Sequence, residues 1–311
     1  MNILSLKGGG TRGIILTRFL MEIETITKKP IYQLFDYIGG ASVGTLVACG
    51  ILISEDNQTA KHTAYELHQL FLENITNAFS WSYYSYITSI FGLLGPVYTN
   101  DGLKAIIQTY CQDKTLKSLL KPIIFPTYDR IKHKTYYFDN DKDADITLEN
   151  VIISCSAAPL YFRSNKMNIK EEKYDFLDSG VVVNNTSELV YLQATKNLQI
   201  IDKSKILLLN IGTGKFESKV TERDGLFTWL PNIVETLMNA CNENEMYELS
   251  LSLPEDNYFI MDVPLDLSYY SVDDIRKTTI DHYIQQTELW INTNKKRIEA
   301  FCNQLLINKN L

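Results

Sequence analysis

The chain has 311 residues, which is enough for one large domain or two small ones. Hydrophobic residues make up 45% of it and charged residues 22%, as in folded globular proteins, and this composition excludes a disordered or collagen-like chain. The net charge of −7 argues against a nucleic-acid partner, because such proteins need a basic face to displace counterions from phosphates.

Cysteines and histidines are scattered along the chain without metal-binding spacing. The five separated cysteines predict reduced thiols in a cytoplasmic protein, and neither a zinc site nor a disulfide framework is expected. We expect no signal peptide, since Lys7 interrupts the first apolar run, and no membrane span, since no stretch of about 20 apolar residues exists. The residues concerned are Cys49, Cys111, Cys155, Cys241, Cys302, His62, His68, His133 and His282.

Strand and helix patterns alternate along the first two thirds of the chain. A buried strand is predicted at residues 2–6, a helix from the spacing of apolar residues between Ile15 and Ile26, a strand at 35–38 and a helix from 45. Later apolar runs at 122–125, 134–138 and 206–209 predict further strands. From about residue 229 the pattern is mainly helical, with one more strand near 258–267. The alternation predicts an α/β layered sheet.

One segment differs from the rest in composition. Between Glu73 and Asp101 there is no charged residue, and polar side chains alternate there with aromatic ones. Two interpretations stay open: a buried helical hairpin, or a cap that covers an acyl chain or faces a membrane, because Trp and Tyr suit a boundary between water and apolar groups. The aromatic residues are Phe79, Trp81, Tyr83, Tyr84, Tyr86, Phe91 and Tyr98.

A G-x-S-x-G motif at residues 40–44 has Ser42 at its centre, flanked by Gly40 and Gly44. In such a motif the serine lies in a sharp turn between a strand and a helix, where a Cβ on either side would clash. The turn exposes the hydroxyl at a helix N-terminus, which favours developing negative charge. The motif follows an apolar strand and precedes a helical pattern, and this context favours a nucleophile over a structural turn.

A glycine-rich run at residues 8–13 admits two interpretations. It fits the dinucleotide fingerprint G-x-G-x-x-G, but that site needs an acid at the end of the second strand, and Asp36 precedes the apolar Tyr37 and Ile38. It also fits an oxyanion hole, in which backbone N–H groups at a helix start point into the site. We prefer the oxyanion hole, because parallel first and second strands would bring the glycines beside Ser42.

A serine nucleophile needs a base, and the sequence offers two. A triad in the chain order Ser42, Asp178, His282 is available, although none of the histidines lies in a motif-like setting. A carboxylate could serve alone, since Asp178 lies where an apolar strand meets the turn that begins with Ser179 and Gly180. An aspartate before Ser-Gly is also common as turn chemistry.

These motifs together resemble the patatin-like phospholipases. The resemblance rests on five blocks in chain order: residues 8–13, residues 35–44, residues 154–162, Asp178-Ser179-Gly180 with Asn184-Asn185, and residues 209–214. It implies a three-layer α/β/α fold with a mainly parallel central sheet and a helical C-terminal part. We expect a single domain over residues 1–311, with a core at about 1–215 and a helical extension at about 225–311.

The resemblance also implies roles for individual residues. Ser42 would be the nucleophile and Asp178 the base, in a dyad that replaces the triad. Two residues depart from the family pattern: Lys7 stands where an aspartate is common, and Ser179, in place of glycine, could crowd Asp178 or hydrogen-bond to it. The remaining predicted site residues are Gly8, Gly9, Gly10 and Thr11 in the oxyanion loop, Arg12 holding that loop or meeting anionic head groups, Gly40 and Gly44 in the elbow, and Gly180 in support.

The function that the resemblance implies is lipid acyl hydrolysis. We expect a phospholipase A or lysophospholipase type of enzyme that cleaves glycerophospholipids at a membrane surface, peripheral to the membrane, without metal, calcium or cofactor. A protein or small-molecule activator is conceivable, since a phospholipase free in the cytoplasm threatens the cell's own membranes. The alternatives are a silent lipid- or partner-binding scaffold of the same fold, an esterase with a Ser–Asp–His triad, and a dinucleotide-binding protein.

Overall fold

A computed structural model describes residues 1–79, 96–197, 202–216, 233–269 and 271–311, with only the backbone of residues 78, 233–241 and 244. Within these ranges helices α1 to α9 are Gly13–Thr27, Ile31–Leu34, Val43–Leu52, Ala64–Ala78, Asp101–Cys111, Leu148–Ser156, Ser187–Asn197, Ile233–Ser252 and Lys277–Lys309. Strands β1 to β10 are Asn2–Leu6, Tyr37–Gly40, Ile123–Asp129, Lys134–Phe138, Asn165–Ile169, Glu172–Leu177, Leu207–Ile211, Lys215–Phe216, Tyr258–Met261 and Pro264–Leu265.

The main sheet has the strand order β5-β6-β3-β2-β1-β7-β9, and β4 pairs with β3 outside this row. Strands β3, β2, β1, β7 and β9 are parallel, whereas β4, β5 and β6 extend one side antiparallel. Parallel strands are joined by helices that cover both faces of the sheet, so their sequences are apolar throughout. The predicted α/β fold with a mainly parallel sheet is therefore confirmed.

The first strand shows how the layers form. All five residues of β1 are buried, and successive side chains point to opposite faces. Leu4 and Leu6 pack into the larger core, which contains residues of α1, α3 and α9. Ile3 packs into a second core with residues of α7 and α8, such as Val190 and Leu249. The sheet thus lies between two helical layers, and the helical C-terminal part contributes α9 to one of them.

The second predicted strand is wrong by two residues. It was expected at 35–38, but β2 is Tyr37–Gly40. Phe35 is buried at the end of α2, and the carboxylate of Asp36 accepts a hydrogen bond from the Asn2 amide at 2.8 Å. The Phe35 side chain and the Asp36 carboxylate therefore make their contacts before the strand begins. The strands predicted at 2–6 and 134–138 are confirmed at those bounds.

The aromatic segment lies mostly outside the described residues, which resume after residue 79 only at residue 96. Its two described ends are close together: the rings of Phe79 and Tyr98 are both buried and meet edge to face with centroids 5.5 Å apart. The choice between a buried hairpin and a cap therefore stays open. Across the part of the chain that the structure describes, no helix combines the length and hydropathy that a membrane crossing needs.

Candidate active site

Ser42 lies at the junction of β2 and α3 with φ of 50° and ψ of −121°. This left-handed conformation is uncommon for a residue with a side chain, and it is typical of strained turns that expose a nucleophile. The neighbouring glycine is required by space, since a Cβ on Gly44 would lie 2.2 Å from the carbonyl oxygen of Leu6. The elbow that the motif predicts is present.

Ser42 and Asp178 are hydrogen-bonded to each other. The Ser42 hydroxyl donates to Oδ2 of Asp178 at 2.7 Å, although 136 residues separate the two. Oδ1 of the same carboxylate accepts the backbone N–H of Gly180 at 2.6 Å, which fixes the orientation of the acid. Asp178 follows the last residue of β6 and begins a short 3-10 turn. A hydroxyl and a carboxylate are thus joined by one hydrogen bond, the geometry that nucleophilic catalysis requires.

The electrostatics of this pair suit proton transfer near neutral pH. Burial raises the pKa of Asp178 to about 6, and the hydrogen bonds from Ser42 and Gly180 oppose that rise because they stabilise the carboxylate. A base with a pKa near the working pH is ionised often enough to act and basic enough to accept a proton. Only 5% of Asp178 is exposed, so solvent screens the carboxylate little.

Ser179 makes a contact that neither sequence interpretation anticipated. Its hydroxyl accepts the backbone N–H of Ser42 at 2.6 Å and donates to the carbonyl of Cys155 at 3.0 Å. No ladder of backbone hydrogen bonds joins the strand that leads to Ser42 with the one that leads to Asp178, because β3 lies between β2 and β6. The Ser179 hydroxyl spans that gap directly.

The glycine-rich loop lies against the elbow, as the parallel strands predict. Leu6 of β1 is in register with Gly40 of β2, and a Cβ on Gly8 would lie 3.0 Å from the Cβ of Ser42. The amides of Gly8 and Thr11 donate to the carbonyls of Asn184 and Val272, at 3.2 and 2.8 Å.

Those two contacts leave two amides of the loop for another acceptor. Within the described residues the N–H groups of Gly9 and Gly10 make no hydrogen bond. They stand at the start of a short 3-10 turn that leads into α1, and the first N–H groups of a helix have no partner inside it. Of the four residues predicted for the oxyanion loop, Gly9 and Gly10 are therefore the two whose N–H groups have no acceptor among the described residues.

The cations beside the loop have structural contacts. The Arg12 side chain donates to the Gly9 carbonyl at 3.3 Å, lies over the ring of Phe216 and is only 9% exposed. Contact with the loop is one of the two roles expected for Arg12. Lys7 forms a buried ion pair with Asp262 at 3.4 Å. The departure from the family pattern at Lys7 is thus compensated by an acid that follows β9 directly.

The alternative site residues lie elsewhere. The four histidines all lie in described ranges, and none of them hydrogen-bonds to Ser42 or Asp178. The His282 ring stacks on Tyr269 with centroids 3.8 Å apart. Asp36 precedes β2 and pairs with Lys309. It therefore lies at the N-terminal ends of the parallel strands, whereas the glycine loop lies at their C-terminal ends. A dinucleotide bound at the loop would have its ribose out of reach of Asp36. No group of three or more His, Cys, Asp or Glu in the described ranges could hold a metal ion.

Three residues around the loop were not identified as site residues from the sequence. The Thr213 hydroxyl donates to the Gly8 carbonyl at 2.6 Å, and the Asn184 and Val272 carbonyls accept loop amides. Asn184 and Thr213 belong to blocks that carry the family resemblance, so the sequence pointed to these two positions but gave no role for their side chains or carbonyls. Val272 has no motif around it.

Comparisons with known proteins agree with the motifs. A sequence model of the family described as patatin-like phospholipase matches residues 4–190. Patatin-like protein 2 of Arabidopsis thaliana is 27% identical over 357 aligned positions, covering 98% of this chain and 86% of that protein. The cGAMP-activated phospholipase of Escherichia coli is 27% identical, covering 68% of this chain and 62% of that protein. Among solved structures, VipD from Legionella pneumophila aligns with a TM-score of 0.43 and 13% identity, covering 94% of this chain and 66% of that one.

Proposed function

The chain belongs to the patatin-like phospholipase family, and from this premise we propose that it hydrolyses fatty-acyl esters of glycerophospholipids, as a phospholipase A or lysophospholipase. The observation that carries the proposal is the 2.7 Å hydrogen bond from the Ser42 hydroxyl to Asp178. We propose further that Ser42 and Asp178 act as a dyad without histidine, metal or cofactor.

In the first half of the reaction Ser42 becomes acylated. As its Oγ bonds to the ester carbonyl carbon, its proton passes to Oδ2 of Asp178, and the carbonyl oxygen gains negative charge. The Gly9 and Gly10 amides would donate to that oxygen, a role worth about 2.7–4 kcal/mol per donor in other serine hydrolases. When the carbon–oxygen bond to the leaving group breaks, Asp178 returns the proton to the departing alcohol.

In the second half water takes the place of the alcohol. Asp178 accepts a proton from water while the water oxygen bonds to the acyl carbon. The tetrahedral intermediate collapses, the bond to Ser42 Oγ breaks, and Asp178 gives its proton back to that oxygen. The fatty acid leaves and the dyad is restored. One carboxylate thus serves as base and acid in turn, which its pKa of about 6 favours.

The acyl chain is proposed to contact the aromatic segment of residues 79–98. The described ends of that segment support this, since Phe79 and Tyr98 pack against Phe162, with ring centroids 5.7 and 5.8 Å away, and Tyr98 stacks on Tyr161. Residues 161 and 162 precede β5 and follow the loop whose Ala157 carbonyl accepts the Asp178 amide at 3.0 Å. An apolar wall would then lead toward the dyad. We propose that the enzyme works at membranes from the cytoplasmic side.

The test is release of fatty acid from mixed phospholipid vesicles by the wild type, Ser42→Ala and Asp178→Asn, with EDTA present throughout. Release by the wild type alone is the expected result. Release that survives either substitution would refute the dyad, and strict dependence on calcium would refute the metal-free mechanism.

Absence of release from all three folded proteins would favour the silent scaffold, unless an activator is missing. One relative is named a cGAMP-activated phospholipase, so the same assay is run with cGAMP and then with cell extract. Release that appears only with an addition, and only from the wild type, keeps the proposed reaction and identifies its control.

A further inference from the structure

The antiparallel part of the sheet projects past the edge that carries Ser42. Ile124 of β3 is in register with Gly39 of β2, so β3 continues five residues beyond that level to Asp129. β6 pairs there in the opposite direction, with Phe176 facing Asp129, and its first residues extend further still. At about 3.3 Å per residue, the turns of the β3–β4 and β5–β6 hairpins stand about 15 Å or more beyond the strand end that precedes Ser42.

These two turns are basic in an acidic protein. We define the basic hairpin tips as residues 130–134 and 166–173. They contain six lysines and arginines and two glutamates, hence a net charge of +4, whereas the whole chain has −7. The six cations are Arg130, Lys132, Lys134, Lys166, Lys170 and Lys173.

Ion pairs neutralise only part of this charge. Arg130 pairs with Asp175, and Lys132 pairs with Glu172. The other four lysines of the tips are exposed and form no ion pair within the described residues. An apolar side chain stands among them, since Ile131 is 54% exposed at the tip of the β3–β4 turn. The surface therefore combines free positive charge with a group that can enter an apolar phase.

An open depression lies between the two tips. It has a volume of about 340 Å³ and is lined by Ile131, Lys166, Lys173 and Asp175 together with other strand residues of β5 and β6. Lys166 faces Asp175 across the hairpin and Lys173 faces Asn168, so both lysines lie on the same face. Arg130 pairs with Asp175, and the two ammonium groups beside the depression therefore suit a phosphate-bearing group.

The turn of the β5–β6 hairpin keeps a lysine where the backbone disfavours it. Lys170 and Glu171 have φ of 49° and 69°, the conformation in which two-residue hairpin turns favour Asn and Gly. Both side chains are exposed, so the lysine lies at the outermost point of this hairpin.

We propose that the basic hairpin tips dock on the anionic lipid headgroups of a bilayer, and so bring the edge of the sheet that carries Ser42 to the membrane. The lysines contact phosphate groups and Ile131 enters the headgroup boundary. A bilayer is favoured over a soluble phosphate compound, because the free charges are spread over two projecting turns and accompanied by an exposed apolar side chain. The docking goes beyond the proposed function and rests on it only in that the bound membrane would supply the substrate.

The test is vesicle co-sedimentation of the Ser42→Ala protein, which leaves the lipid intact. Vesicles of phosphatidylcholine alone are compared with vesicles that also contain phosphatidylglycerol. The wild-type tips are expected to bind the anionic vesicles, and added salt is expected to weaken that binding. Lys166→Gln with Lys173→Gln should lower partitioning by about thirtyfold, since each basic residue near an anionic surface contributes about fivefold.

The matched control is Lys295→Gln with Lys296→Gln, which removes the same charge from exposed positions of α9. Docking is refuted if the control pair loses as much binding, or if soluble glycerophosphate displaces the protein from the vesicles more than sodium chloride of the same ionic strength does. If Lys166→Gln with Lys173→Gln fails to fold, the salt titration of the Ser42→Ala protein takes its place as the test. Vesicle binding that does not depend on salt also refutes docking. A wild-type protein that binds anionic vesicles but releases no fatty acid, even with cGAMP or cell extract added, would refute the proposed function and keep the docking surface.

Discussion

Replacing Ser179 with alanine removes the oxygen atom that joins the elbow to the loop of Asp178. Ser179 has no exposed surface, so the Ser42 N–H and the Cys155 carbonyl lose a partner in a buried place. An unsatisfied buried polar group costs about 1–3 kcal/mol. The carbonyl keeps a second lone pair, whereas the amide has a single proton, so we expect most of the loss from Ser42.

The same change should slow the reaction without weakening substrate binding. The Ser179 hydroxyl touches the nucleophile's backbone and no substrate, and a displacement of about 1 Å at a reacting group can cost about a hundredfold in rate. For Ser179→Ala we therefore expect kcat to fall by about tenfold to hundredfold with KM unchanged. Initial rates on a soluble short-chain ester measure both, and the rate of fluorophosphonate labelling reports the reactivity of Ser42 alone.

Ser5→Ala is the matched control, since it deletes another fully buried serine hydroxyl, whose partner is Thr186 at 3.0 Å. It should lower the melting temperature to a similar extent and leave kcat near the wild-type value. A Ser179→Ala enzyme with wild-type kcat and labelling rate would show that the hydrogen bond does not position Ser42. Equal loss of kcat in both variants would show a general effect on the fold.

Four further outcomes follow from the site. The rate of ester hydrolysis should decline as the pH falls through about 6, because Asp178 must be ionised to accept a proton. Its raised pKa also means that the native state binds this proton more tightly than the unfolded chain does, so the free energy of unfolding decreases as the pH rises from 3.8 to about 6. Asp178→Asn lacks that decrease and should therefore have a higher melting temperature than the wild type at pH 8. An equal or lower melting temperature would contradict this reasoning. Gly10→Ala should lower kcat by about a hundredfold or more, because its Cβ would lie 2.1 Å from the Val272 carbonyl at a φ of 58°, whereas Gly50→Ala meets only the Leu67 side chain. Wild-type activity in Gly10→Ala would show that the reaction does not depend on this conformation of the loop. His282→Ala should keep most of its activity with EDTA present, and loss of activity with the fold intact would restore the triad.

The sequence carried the elements of the site but not the contacts among them. The order of strands brings the elbow beside the glycine loop, and two motifs at the ends of adjacent strands were enough to predict that. The contact of Ser179 with Ser42 depends on where β6 joins the sheet, 137 residues later, and no local pattern encodes it. A hydroxyl beside an acid invites a hydrogen bond to that acid, so the sequence pointed to Asp178 as its partner.

The predicted start of β2 was wrong because the apolar run before it belongs partly to the end of α2. The apolar run at residues 35–38 fits a strand, yet Asp36 is held by Asn2 and Lys309, and Phe35 ends α2. The pattern of apolar residues shows that a side chain is apolar, but it does not show to which helix or strand the residue belongs. The same limit applies to Val272, whose contact with the glycine loop is through a backbone carbonyl that any residue type would supply.

The hydrogen bond between the Thr11 amide and the Val272 carbonyl has a consequence for synthesis. Gly8 to Thr11 leave the ribosome before the segment that anchors their loop, which follows about 260 residues later. β1 can pair early with β2, but its second parallel neighbour, β7, begins only at Leu207. A nascent chain therefore carries Ser42 and even Asp178 long before it has a formed glycine loop. If the proposed reaction is right, the chain stays catalytically inert until the segment around Val272 has been synthesised.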